Sequence, residues 1–348
     1  MALLNYISTN TKARVLYGRL LSMEDYNNLL EKRTVREVAA YLKKHTYCKE
    51  IFGQVNENNI HRSELEVLLK VSLYDDFAKL LKHLRGNAKK YLQAAFLRHE
   101  IEDLKVLLRR VSVQKSGSNP DYLLSFLNDL SSLDYYKLAG SKDITEFIYN
   151  LRDTQYYRAL RTFADNKERQ NLFDMEKALD LHYYSNIMDL KNKLLGSSDN
   201  KAVTRIYGTE IDIMNLMLIY RCKKLFNLPK ELTLNRIVPY WCYLSRKKLV
   251  ELAECRDVQE FRESVSNTRY SFIFKVEKEQ LWEINAKTYL YNFYRRILKR
   301  GKFSMGSIIA YIHLKEFDIS NIITIIEGVR YQLPPEEIKS YLIGIKGQ

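Results

Sequence analysis

Glycine and proline are scarce: 12 and 5 residues in a chain of 348. So few turn-formers argue against a fold of many short strands and for helices joined by short loops. The four cysteines, Cys48, Cys222, Cys242 and Cys255, are scattered and include no C-x-x-C pair. They read as free thiols in a reducing cytosol, not as a disulfide framework. No apolar run approaches the ~18 residues of a membrane span, so none is expected. Met1 to Arg14 lacks the basic start and apolar stretch of a signal peptide. There is no Gly-rich phosphate loop, no Gly-x-Ser-x-Gly elbow and no cysteine with an obvious base. The six histidines, at 45, 61, 83, 99, 182 and 313, form no pair at metal-ligand spacing. No catalytic, cofactor or metal site is therefore expected.

What the chain does have is apolar residues, 46% of it, enough for a sizeable core. It also carries a net charge of +14. Such a surface favours acidic proteins, anionic headgroups or nucleic acid, or is simply solvated. The basic residues are spread through the helices and not gathered in a tail. The 26 tyrosines among them fall at core spacing, and no nucleic-acid motif accompanies them. Nucleic-acid binding is not expected.

One pattern occurs three times. Glu100 and Asp103 precede Leu104; Asp212 and Asn215 precede Leu216; Asp318 and Asn321 precede Ile322. A spacing of three places each acid and its partner on one helix face, about one turn apart. The copies recur about 110 residues apart, which reads as a chain built three times over.

A second pattern agrees. Leu21, Ser22, Tyr26, Leu29, Thr34, Glu37, Val38, Leu42 and Tyr47 are matched without a gap by Leu130, Ser131, Tyr135, Leu138, Asp143, Glu146, Phe147, Leu151 and Tyr156. A third copy runs Leu244, Ser245, Leu249, Leu252, Asp257, Glu260, Phe261, Val265 and Tyr270. Apolar matches are cheap between amphipathic helices, but the Ser, Glu and Tyr matches are not. With residue types used at about 5–7%, six such coincidences fall near ~10⁻⁷ before freedom of search. Ser22 reads as a helix N-cap, and Thr34 with Glu37 as a capping box.

Each copy continues into a long helix, marked by Glu66 to Phe77, Glu176 to Ile187 and Glu279 to Leu290. A Gly-containing break follows, at Gly86, Gly196 and Gly301, and the acid-bearing helix comes last. The joints fall at Val113 to Pro120 and Leu228 to Pro239. The expected units are 1–118, 119–235 and 236–348. No stretch alternates like a strand, so the chain reads as all-α. Three similar units repeat one heterologous contact, and a step near a third of a turn would close them around an axis. The acid-bearing helices would line or brace it. Acids and amides recurring at equivalent sites suit packing better than a general acid–base pair. Tyr47, Tyr156 and Tyr270 read as helix-end anchors, ring buried and hydroxyl paired.

These residues resemble the C subunit of archaeal and bacterial A/V-type rotary ATPases, whose eukaryotic counterpart is the V-ATPase d subunit. The marks are Ala13-Arg14-Val15 with Arg19-Leu20-Leu21-Ser22, the segment Thr34 to Tyr47, and Glu100 to Lys105 with Arg109. Asp212 to Asn215 with Arg221, and the ending Gly328 to Leu342, complete them. Two positions depart: Glu327 stands where Arg109 and Arg221 stand, and Asp103 where the other copies have Asn. The resemblance implies a funnel of three helical units around a pseudo-threefold axis, with a central cavity. It implies a non-catalytic central-stalk subunit that links the central shaft to the membrane rotor ring and transmits torque. It would sit peripherally on the cytoplasmic face of the membrane, held through the ring. The competing readings are a helical-repeat scaffold for another protein partner and, third, an enzyme.

Overall fold

The computed structural model describes residues 2–52, 62–113, 131, 133–166, 170–300 and 303–345. Most of the first joint (114–120), Leu130 and the break at Gly301 lie outside them. The described residues fold into α-helices and one short 3-10 turn, with no β-strand among them. Their contacts group into two compact units, Met1–Gly86 with Ser197–Gln348, and Asn87–Gly196.

The unit Asn87–Gly196 is built on the long helix α6 (Gly86–Ser112), with short helices α7 (Tyr135–Ala139), α8 (Ile144–Asn150) and α9 (Tyr157–Ala164) and the long α10 (Leu172–Leu194). Tyr91, Leu92, Leu104 and Leu108 of α6, Phe147 and Ile148 of α8, Leu160 of α9 and Leu179 of α10 are fully buried core residues. The Tyr183 hydroxyl donates to the Ala95 carbonyl, 2.9 Å away, and ties α10 to α6.

The other unit holds both ends of the chain. Its first part is α1 (Ala2–Tyr17), α2 (Met23–Leu30), α3 (Val35–His45), α4 (Lys49–Phe52) and α5 (Arg62–Leu81). Its second is α11 (Ser197–Phe226), α12 (Lys230–Leu234), α13 (Arg246–Glu254), α14 (Val258–Ser266), the 3-10 turn Ser271–Phe274, α15 (Gln280–Lys299), α16 (Met305–Arg330) and α17 (Pro335–Ser340). Helix α16 packs against α1, α3, α5, α11 and α15. Burial on so many sides explains its run from Ile308 to Leu314, in which every residue is buried. Beneath α13 and α14, Trp282, Phe261, Phe274 and Tyr270 form an aromatic core, with the Trp282 indole N–H bonded to the Val276 carbonyl at 2.7 Å.

The helix starts repeat one device. Thr34, Asp143 and Asp257 are N-caps whose side chains accept from the amides of Glu37, Glu146 and Glu260, at 3.2, 2.8 and 2.9 Å. Those three glutamates then reach back past the cap to the preceding amide: Arg33 at 2.9 Å, Lys142 at 2.8 Å and Arg256 at 2.7 Å. A standard capping box would bond the cap's own amide. Reaching one residue further ties down the turn that enters the helix. At α2, Ser22 and Asp25 do form the standard box. Replacing Thr34, Asp143 or Asp257 by Ala is expected to lower stability by about 1 kcal/mol each, read as a shifted urea midpoint with unchanged slope.

Candidate functional site

Three buried carboxylates organise the chain. Asp212 on α11 is wholly inaccessible to solvent. Its oxygens accept from the amides of Cys242 (3.1 Å), Tyr243 (2.7 Å) and Leu244 (3.2 Å) and from the Tyr270 hydroxyl (2.8 Å). The approach of that segment is close because residue 208 is glycine: a Cβ there would lie 2.8 Å from the Cβ of Cys242. One turn on, Asn215 pairs both ways with Val238, donating to its carbonyl and accepting from its amide, each at 2.9 Å. One helix face thus holds the entry to α13 and the end of α14.

The same arrangement joins the chain's two ends. Asp318 on α16 accepts from the Leu21 amide (3.2 Å), the Tyr26 hydroxyl (2.6 Å) and the Tyr47 hydroxyl (2.9 Å). Asn321 pairs both ways with Ile343, at 3.0 and 2.7 Å, as Asn215 does with Val238. In the unit Asn87–Gly196, Glu100 accepts from the Ser131 hydroxyl at 2.8 Å and bonds the Tyr156 hydroxyl. Asp103 is buried one turn on. Tyr156 and Tyr270 are fully buried, whereas Tyr47 is half-buried. Each carboxylate therefore gathers donors from a distant segment of short helices, here called a head: Leu21–Tyr47 for Asp318, Ser131–Tyr156 for Glu100 and Cys242–Tyr270 for Asp212. Glu37, Glu146 and Glu260 stand apart at the helix starts described above.

The departure at Glu327 is matched by a second one. Arg109 pairs with Glu176 at 2.5 Å, and Arg221 with Glu283 at 3.0 Å, each at the start of the long helix of its copy. Glu327 pairs instead with Arg62, at the start of α5. The charges are exchanged, but the register shifts: Arg62 lies four residues before Glu66, the counterpart of Glu176 and Glu279, and Glu283 lies four after Glu279, so the spacing of the copies does not show these pairs.

Burial pushes all three carboxyls above their ordinary range; donors pull each partly back, and for Asp318 so does Lys315. Lys315 is itself buried, and desolvation lowers its pKa despite Asp318 and Asp76. Its ammonium lies 3.2 Å from the centroid of the Tyr47 ring, and the Tyr311 hydroxyl donates to Asp76 at 2.6 Å. His313 lies between Glu210 (3.1 Å) and Glu316 (3.0 Å), and its ring stacks on Tyr294. The repeat pattern pointed to neither cluster, because neither recurs in it. Among the described residues no group of three His, Cys, Asp or Glu could hold a metal, and none of the helices is long and apolar enough to cross a membrane.

The described residues are helical, and their buried acids act as hydrogen-bond hubs between helices. The chain belongs to the family described as ATP synthase (C/AC39) subunit, whose sequence pattern matches residues 9–341. Its relatives include proteins named as the C subunit of A-type ATP synthase. One from Methanocaldococcus jannaschii is 26% identical over 98% of this chain and 86% of its own length. One from Methanosphaera stadtmanae is 23% identical over 97% of this chain and 88% of its own. One from Methanosarcina acetivorans is 24% identical over 98% and 93%.

Two outcomes test the clamps. A carboxyl whose folded pKa is raised binds its proton more tightly in the native state. The stability tied to that shift is gained as pH falls through the folded pKa and lost as pH rises through it. Tyr270→Phe removes a donor to the ionised form, so it should raise the Asp212 pKa further. We expect it to cost about 1.5 kcal/mol at mildly alkaline pH. The gap should shrink as pH falls through the Asp212 pKa, which urea titrations at several pH values will show. Separately, Glu327→Arg should cost about 0.5–1 kcal/mol, since the pair is partly exposed. Adding Arg62→Glu should restore only part of it in a double-mutant cycle, because it also breaks the Arg62–Glu66 pair at 2.7 Å.

Proposed function

We propose that this chain is a non-catalytic central-stalk subunit of an A/V-type rotary ATP synthase. It links the central shaft to the membrane rotor ring and transmits torque between them. The observation that carries the reading is the family match along residues 9–341, in a chain whose relatives are named as the C subunit of A-type ATP synthase. Three related units, 1–118, 119–235 and 236–348, arranged around one axis as a funnel with a central cavity, belong to the same proposal.

Two features support it. Torque transmission needs stiffness, and capped helices pinned by buried carboxylates resist bending and sliding. Among the described residues, the most exposed large apolar ones also recur at a fixed offset from the acids. Val113 (62% exposed), Leu225 (68%) and Tyr331 (65%) each lie at the end of an acid-bearing helix, thirteen residues after Glu100, Asp212 and Asp318. A thrice-repeated apolar helix end suits a partner that presents one surface several times, as a homo-oligomeric ring does.

Membrane vesicles carrying the complex without this chain are expected to hydrolyse ATP but move no ions. Adding back the purified chain should restore ion movement, and the chain alone should hydrolyse no ATP. Normal ion movement per ATP in its absence would defeat the reading.

A further inference from the structure

Several cations of the long helices face carboxylates: Arg109, Arg221, Lys105 and Lys224 all have acidic partners on a neighbouring helix. One concavity differs. A groove of about 890 Å³ runs along α15, lined by Phe272, Val276, Tyr289, Arg295, Arg296 and Lys299 among others. None of these three cations is paired with a carboxylate among the described residues. The Arg296 guanidinium donates to the Asn292 carbonyl of its own helix, at 3.3 Å. The bland explanation is that last-turn cations complement the helix dipole. It accounts for Arg296 and Lys299 at the helix end, but not for their opening with Arg295 into one concavity beside exposed apolar surface.

The groove has two ends of different chemistry. Tyr289, Phe272 and the exposed Val276 make one end apolar; the three cations make the other end positive. The helical rise puts the cations roughly 9–15 Å beyond Tyr289 along the axis. We propose that this groove docks an acidic, amphipathic segment of another subunit of the same complex. That segment places an apolar side chain against Tyr289 and Phe272 and two or more carboxylates against Arg295, Arg296 and Lys299. Charge complementarity selects the occupant: apolar contact alone would leave three desolvated cations unmatched. The proposal rests on this chain being a subunit of the synthase.

The test uses the full chain and the complex purified without it. The triple variant Arg295→Glu, Arg296→Glu, Lys299→Glu should bind that complex roughly tenfold or more weakly, with a shallower salt dependence. A control reversing Arg36, Arg246 and Lys247, all exposed elsewhere, should bind as the unaltered chain does. A photoreactive benzophenone residue at Asn292, with the cations intact, should crosslink to a segment of another subunit rich in Asp or Glu. Unaltered binding by the triple variant, or a crosslink to a segment without acids, overturns the groove while leaving the proposed function in place. Failure of the unaltered chain to bind overturns both. Binding to phosphatidylglycerol vesicles that the triple variant loses would make the groove a headgroup site and overturn the protein partner.

Discussion

A carboxylate taken out of water must be given donors in its place, and this requirement organises the chain. Asp212 collects three backbone amides and a tyrosine hydroxyl; Asp318 collects one amide and two tyrosine hydroxyls. An ionised carboxylate buried with fewer partners would be strongly unfavourable. The donors all come from elsewhere in the chain, so meeting the demand fixes where the heads sit on the long helices. Apolar packing supplies more of the free energy, but it is non-directional. The hydrogen bonds set the register.

The clamp at Asp318 has a further consequence. Its donors lie at Leu21, Tyr26 and Tyr47, nearly three hundred residues upstream, so the last long helix holds the first head. Asn321 meanwhile grips Ile343, just before the chain's end. The two termini therefore take the place of the continuous segment around Val238 to Leu244 that serves Asp212 and Asn215. Helix α16 thus holds Leu21 to Tyr47 and Ile343 on one face, and neither segment can leave it without breaking buried hydrogen bonds. That is a sound basis for a part that must turn without yielding. It also makes these contacts among the most non-local in the molecule, which slows their formation in folding.

Much of this was legible in the sequence. The helices followed from scarce glycine and apolar spacing, and the acids, glutamates and tyrosines drew notice by recurring at fixed offsets. The partners of the acids were not legible. Spacing shows that Asp318 shares a face with Asn321; it does not show that Tyr47 closes on that face, because the pairing is long-range. Glu37 read as the partner of its own cap, yet it bonds the amide one residue earlier, a choice of backbone geometry that residue types do not encode. Glu327 read as a departure until Arg62 was found opposite it. The Lys315–Asp76 and Glu210–His313 clusters occur once each, so no repeat could announce them.

The clamped heads are expected to be bound as firmly as the core of the helices that hold them. Native-state hydrogen exchange of the Leu21 and Leu244 amides, one in each clamp, tests it most directly. Both amides are expected to exchange only through the global unfolding that releases the centres of α11 and α16. Exchange through a local opening well below the global free energy, with the helix centres still protected, would show that the carboxylates do not lock the heads.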